Sequence, residues 1–158
     1  MSLNTILVAV LLSLLPIAEL RGGLPYALAR GLPLVPAYLL CVAANALVGP
    51  LLLLFLSSLH RALDRWPAYH RLFERLVERA RHKIHGAVER YGYWGLMIFV
   101  AIPLPLTGAY TGALGAWVLG MRRWKSALFI ALGVALAGVV VAAVYLLGVR
   151  ALYFLLKL

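Results

Sequence analysis

The sequence predicts an all-α integral membrane protein. Two inverted repeats, each a re-entrant helical hairpin plus a transmembrane helix, are joined by a cytoplasmic amphipathic helix. Three observations lead there. Apolar residues make up 65% of the 158-residue chain and formally charged ones only 13%, with mean hydropathy +0.97. Soluble domains typically hold about 45–50% apolar and about 25% charged residues. The second observation is that the charges gather in one central segment, residues 60–90, between apolar flanks. The third is that those flanks align with each other at a fixed offset. Disulfide-stapled folds are excluded, because Cys41 is the only cysteine.

The expected organisation is a single membrane domain, 1–158. Repeat 1 covers 1–59, with a hairpin at 3–30 and a span at 31–59. The linker is 60–90. Repeat 2 covers 91–150, with a hairpin at 91–121 and a span at 124–150, and 151–158 form a tail.

Residues 3–18 carry no charge, are broken at Pro16, and fall short of the roughly 20 residues a simple span needs. They have the length of a signal peptide, and PIA before Glu19 resembles a cleavage site. Residues 1–15 contain no Lys or Arg, however, so the positive leading region of such a signal is missing. A retained hairpin arm is therefore expected. Residues 31–59 suit one span, with Pro33 and Pro36 near its start. Gly49 and Pro50 should kink it rather than end it, since bundle neighbours can satisfy freed backbone groups.

The linker holds eight of the fifteen basic residues, four of the five acids and all four histidines. Its excess of positive charge marks it as cytoplasmic. Apolar segments tether it on both sides, which argues against a basic face approaching nucleic acid. Pro67 starts a helical run with Tyr69, Leu72, Phe73, Leu76, Val77, Ala80, Ile84, Ala87 and Val88 at i, i+3, i+4 spacing. That stripe suits the headgroup plane or the protein's own core, and both readings stay open. His82 and His85 lie three apart, but no carboxylate or thiol completes a metal set, so no metal is expected.

Residues 91–121 lie uncharged between Arg90 and Arg122, too long for one span and too broken for a straight helix. Pro103-Leu104-Pro105 and Gly108 sit at the middle, and two prolines so close stop a helix. Two half-helices that enter and return are expected. Returning also keeps Arg90 on the same face as Arg122, Arg123 and Lys125. Residues 126–149 form the last uncharged stretch.

An offset of 89 residues places Pro16 on Pro105, Gly23 on Gly112, Ala27 on Ala116, Gly31 on Gly120, Ala46 on Ala135 and Gly49 on Gly138. One copy ends its span at His60 on the cytoplasmic side and the other starts its hairpin there at Arg90. The copies should therefore be inverted, an arrangement used by secondary transporters. The tips are expected at 16–23 (Pro16, Gly22, Gly23) and 103–112 (Pro103, Pro105, Gly108, Gly112), meeting around a polar space. Stripes of Gly23, Ala27 and Gly31, and of Gly108, Gly112, Ala116 and Gly120, suit close packing within the chain; a homodimer seam is the alternative.

Glu19 and Arg21 sit at the first tip. An ionised side chain at mid-bilayer depth costs about 2.5–3.5 kcal/mol, so both require an explanation. They can pair to lock the tip, lie shallow with Arg21 snorkelling, or face a cavity and handle substrate or protons. Thr107, Tyr110 and Thr111 offer hydroxyls at the opposite tip, where a helix starting near Gly108 should favour an anion such as phosphate. Asn45, the amide of the second stretch, is expected at the same cavity. Arg122, Arg123 and Lys125, beside Trp124, are expected to contact anionic head groups or simply to set orientation. There is no P-loop, nucleophile elbow or dinucleotide fingerprint, so neither catalysis nor a cofactor is expected.

The segments ELRGGLPYA, IPLPLTGAYTGALGAWVLGM and LGVALAGVVV together resemble the bacterial and archaeal small multidrug export membrane proteins, and more distantly the DedA/VTT superfamily. The resemblance covers nearly the whole chain. It implies a multi-pass protein of a prokaryotic plasma (inner) membrane with re-entrant hairpins in inverted repeats. It further implies transport of a lipid-linked phosphate or other amphiphile with proton coupling. Glu19 matches the acidic position of the first hairpin, whereas PLPLTGAYTG carries no counterpart to the basic residue of the second DedA motif. A proton-coupled cationic drug exporter and a non-transporting scaffold, whose 60–90 helix recruits partners, are the alternatives. Membrane lipid is the partner common to the first two.

Overall fold

Proline and glycine positions set the helix ends. In the computed structural model, which describes residues 2–58, 60, 65–103 and 107–156, the described residues form seven helices and no strand. Helix α1 (Leu3–Leu14) starts at Ser2, whose hydroxyl accepts the Thr5 N–H. It stops because Leu15, preceding Pro16, is driven into extended backbone. Helix α2 (Glu19–Ala29) follows, then α3 (Leu34–Ser58), which runs unbroken through Gly49 and Pro50. Helix α4 (Pro67–Tyr91) has its proline in the first turn, where the missing N–H costs nothing. Helix α5 (Tyr93–Ala101) ends as α1 does, with an extended residue, Ile102, before Pro103. Helices α6 (Ala109–Val118) and α7 (Arg123–Leu156) complete the chain.

The order is thus short, short, long on each side of α4. The likeness extends to hydrogen bonds. Helix α2 closes on Gly31 (φ 82°), with the Leu32 N–H on the Ala27 carbonyl and the Gly31 N–H on that of Leu28. Helix α6 closes on Gly120 (φ 65°), with the Met121 N–H on Ala116 and the Gly120 N–H on Trp117. Both are left-handed glycine caps of the same pattern, at the offset read from the sequence.

Helix α3 and the Arg123–Val149 part of α7 are the two described helices long and apolar enough to cross a membrane. They pack antiparallel. A Cβ on Gly49 would lie 3.0 Å from Ile130, while one on Gly138 would lie 2.8 Å from Tyr38, at the other end of the contact. The Tyr38 hydroxyl donates to the Ala135 carbonyl at 2.8 Å. Outward, Leu47, Leu51, Leu54, Leu136, Val144 and Leu147 are exposed, as lipid-facing side chains are. Lipid removes the hydrophobic drive for helix association, so close contact must replace it. Gly133 supplies such a contact: a Cβ there would sit 2.7 Å from the Met97 carbonyl of α5.

Helix α4 lays its apolar stripe on α5 and α6, with Ala80 and Ile84 fully buried. A Cβ on Gly115 of α6 would stand 2.6 Å from Ile84. Of the two readings of this amphipathic helix, packing on the protein's own core is the one observed. His60, just beyond α3, stacks with Phe73 (4.0 Å between centroids) and meets Trp117 edge-on at 5.2 Å. On the outer face His70 pairs with Glu74, His82 with Glu78 and His85 with Glu89, all exposed i, i+4 contacts. His82 and His85 therefore face separate glutamates.

The helix ends stand closer to the breaks than the sequence suggests: α1 stops at Leu14 and α2 opens at Glu19, while α5 stops at Ala101 and α6 opens at Ala109. Gly22 and Gly23 lie within α2, and Gly112 within α6, rather than in the tips. Gly23 and Gly112 set spacing between helices: a Cβ on Gly23 would collide with Ser13, and one on Gly112 would lie 2.6 Å from Val100, whereas one on Gly22 would meet only Ala18, next to the start of its own helix. Pro103 stands in the second break, and Pro105 lies outside the described residues.

Candidate functional site: a carboxylate and a guanidinium across two helix breaks

The site is assembled where the two breaks face each other. Glu19 opens α2 with φ 48°, a left-handed conformation that typically costs a non-glycine residue about 1–3 kcal/mol. Its side chain is only 6% exposed. Gly108 of the second break lies directly against it, so any Cβ there would fall on the carboxylate oxygens. Gly108 also has φ 141°, and glycine alone satisfies both demands. From the first turn of α6 the Ala109 and Tyr110 backbone N–H groups donate to the carboxylate, and the Asn45 amide donates from α3. Asn45 is itself buried, and its Oδ1 has no hydrogen-bond partner. The anion favoured by the start of α6 is therefore the protein's own Glu19, where the sequence had suggested a phosphate.

Arg21 makes the reciprocal connection. Its guanidinium donates to the Thr107 carbonyl and, at 3.0 Å, to the Thr107 hydroxyl, which donates on to the Ile102 carbonyl at 2.8 Å. From the other side, the Tyr110 hydroxyl donates to the Leu14 carbonyl, in the last turn of α1. The helix after each break thus lends a side chain to a carbonyl beside the other: Arg21 of α2 to Thr107, and Tyr110 of α6 to Leu14, in the last turn of α1 where intrahelical partners run out. Arg21 also attracts Glu19 electrostatically, one residue removed along α2.

A cavity of about 610 Å³ opens from this junction. Its polar end carries Glu19, Arg21, Thr107, Tyr110 and Thr111. Leu52, Phe55 and Leu56 of α3 form one apolar wall. Helix α4 forms another with Phe73, Leu76, Ala80 and, at its edge, Arg79. Pockets for drug-sized ligands run from about 300 to 1,000 Å³ and are built in this way, mostly apolar with a few placed polar groups.

The structure thus brings Glu19, Arg21, Thr107, Tyr110 and Thr111 to one cavity, with Asn45 behind Glu19 and Pro16 on the rim. Arg122, Arg123 and Lys125 do not join them. They are exposed at the start of α7, where the Arg122 N–H donates to the Tyr93 hydroxyl and Lys125 lies 5.8 Å from the same ring. Sequence reasoning missed the two apolar walls and Arg79. The spacing of Phe73, Leu76 and Ala80 signalled a buried stripe but not what it would cover.

The family model described as "Putative small multi-drug export protein" matches residues 19–140, from the junction carboxylate to well inside α7. No curated protein and no solved structure matches the chain. By this match over most of its length, the chain belongs to the small multi-drug export protein family.

Proposed function

We propose that this protein is a multi-pass carrier of a prokaryotic plasma membrane. It moves an amphiphile by rearranging two inverted halves around the Glu19–Arg21 junction, with Glu19 exchanging a proton. The observation that carries this reading is the buried carboxylate, held by the opposite helix break at the polar end of an apolar-walled cavity. Helix lengths support it. Helices α1, α2, α5 and α6 have 12, 11, 9 and 10 residues. At 1.5 Å per residue each is about 14–18 Å long, roughly half of a hydrocarbon core of about 30 Å. Two pairs that enter and return, with tips near mid-depth, fit those lengths. The recurring glycine caps and the antiparallel α3 and α7 support the inverted relation between halves.

The coupling follows from the hydrogen bonds. An ionised Glu19 accepts from Ala109, Tyr110 and Asn45, and bonds to a charged group contribute about 1.5–3 kcal/mol each. A proton on the carboxyl weakens all three together and loosens one break from the other. The halves are then released to shift around a ligand whose apolar part lies along Leu52, Phe55 and Leu56. Arg122, Arg123 and Lys125 would meet anionic head groups at the cytoplasmic face.

The test is proton movement in proteoliposomes containing a trapped pH-sensitive dye, challenged with amphiphiles of either charge. Parent protein should acidify or alkalinise the lumen when a substrate is added, and Glu19→Gln should not. Equal signals from parent and Glu19→Gln would refute the reading. The family description favours drug export, which uses the same junction, and a lipophilic cation among the probes tests that version directly. A non-transporting scaffold predicts instead that Glu19→Gln behaves as parent while changes at the exposed Arg75 and Arg79 of α4 do the damage.

A further inference from the structure

We propose that Asn45 is the positioning residue that receives the protonated Glu19 carboxyl. The neutral acid and the Asn45 amide form a two-bond pair, carboxyl O–H to Oδ1 and amide N–H to the carboxyl C=O. Proton uptake then moves Glu19 from the opposite helix break onto its own side of α4. The inference rests on the carrier reading and names the group that switches the junction, which that reading leaves open.

The starting observation is an unmet acceptor in the core. Asn45, on α3, is 2% exposed, and its Oδ1 has no hydrogen-bond partner. A buried acceptor left unpaired is costly, and so calls for a physical reason. Cys41, one turn earlier on α3, pairs instead with Ser13 of α1, whose hydroxyl donates to the Ala9 carbonyl at 2.8 Å. The other arm of the Asn45 amide already donates to Glu19. Oδ1 shares a carbon with that nitrogen, so the unmet acceptor stands beside the carboxylate. An ionised carboxylate has no proton to give it, because both of its oxygens only accept. A protonated carboxyl carries the missing donor.

The other titratable or charged groups that face Glu19 among the described residues are Arg21 of α2, Tyr110 of α6 and, across the cavity, Arg79 of α4. A guanidinium has donors but no acceptor for a carboxyl proton. Tyr110 directs its hydroxyl to the Leu14 carbonyl of α1. The two states of Glu19 therefore differ in what they hold. Ionised, it takes the Ala109 and Tyr110 N–H groups, which follow α4, together with one amide N–H of Asn45, which precedes it. Neutral, it loses the charge that strengthens the bonds to α6 and gains Oδ1 on α3. The proton comes from the cavity, which Glu19 lines, and returns there on release. The carboxyl O–H is the only covalent bond made or broken.

Infrared difference spectra of the full chain in lipid, acid minus alkaline, test the pair directly. The Glu19 carboxyl C=O band is the one lost in Glu19→Gln. In the parent it should lie where a doubly hydrogen-bonded acid absorbs, accompanied by a shift of a side-chain amide band. Asn45→Leu should move the carboxyl band to the higher wavenumber of a free acid. It should also slow proton movement in proteoliposomes about ten-fold, equivalent to about 1.4 kcal/mol. Cys41→Ala, an equally buried change one turn away on α3, should leave both readouts as in the parent. A free-acid band in the parent overturns the proposal, and needs no variant of Asn45 to fold. So does an Asn45→Leu band at the parent position, or a Cys41→Ala shift as large as that of Asn45→Leu. If Glu19→Gln stops proton movement while Asn45→Leu leaves band and rate unchanged, the Asn45 assignment fails and the carrier reading survives. Equal proton movement in parent and Glu19→Gln sinks the carrier reading, and with it the switch, whatever the band shows.

Discussion

Gly108→Ala strikes the junction where it is tightest. The backbone there has φ 141°, and the added methyl would fall on the Glu19 carboxylate, 2.7 Å from its carbon. The conformation costs a non-glycine residue about 1–3 kcal/mol, and overpacking a filled site about 1–3 kcal/mol more. The variant should therefore lose about 2–6 kcal/mol, unless Glu19 moves and gives up its bonds to Ala109 and Tyr110. Either route damages the contact between the breaks. Gly120→Ala is the matched control: it also has positive φ (65°), but nothing lies within 4 Å of the new methyl. It should lose only the left-handed penalty of about 1–2 kcal/mol and keep transport. Thermal unfolding in detergent, followed by tryptophan fluorescence, and proton movement in proteoliposomes give the two readouts. A Gly108→Ala protein as stable and active as its parent would refute the reasoning. So would a Gly120→Ala protein equally inactive.

Other changes separate the contributions. Tyr110→Phe removes the bond to the Leu14 carbonyl and should cost about 0.5–1.5 kcal/mol in thermal unfolding. Arg21→Met leaves the Thr107 carbonyl without its guanidinium donor and should cost about 1.5–3 kcal/mol, with Arg21→Lys recovering part of it. Ile84→Ala hollows the fully buried contact of α4 on α6. A loss of about 2–5 kcal/mol is expected, together with faster proteolysis within α4.

Much of this fold was legible because local rules decide helix ends. Leu15 and Ile102 are extended because prolines follow them, and Gly31 and Gly120 cap their helices because both can be left-handed. The matching caps at Gly31 and Gly120 were readable for the same reason, since the 89-residue offset between them is written in glycines and prolines. What helices touch is a different kind of information. The stripe on α4 is equally compatible with lipid headgroups and with a protein surface, and only the placement of Ile84 against Gly115 shows which it meets. Arg79 looked like one more solvated charge until Leu76 and Ala80 beside it were placed on the cavity wall. The start of α6 suggested a place for an anion such as a phosphate, and the group that lies against it, Glu19, is far away in sequence. Tertiary contact alone supplies that pairing.

Whether residues 91–121 enter and return is the question on which the carrier mechanism turns, and cysteine labelling answers it. Cys41 is fully buried, and in a Cys41→Ala background single cysteines at the exposed positions Arg90 and Arg122 can be challenged with a membrane-impermeant maleimide in right-side-out and inverted vesicles. Both positions should label from the same face, the cytoplasmic one. Labelling from opposite faces would mean that the chain crosses between them, and the paired breaks could not then meet as tips of inverted halves.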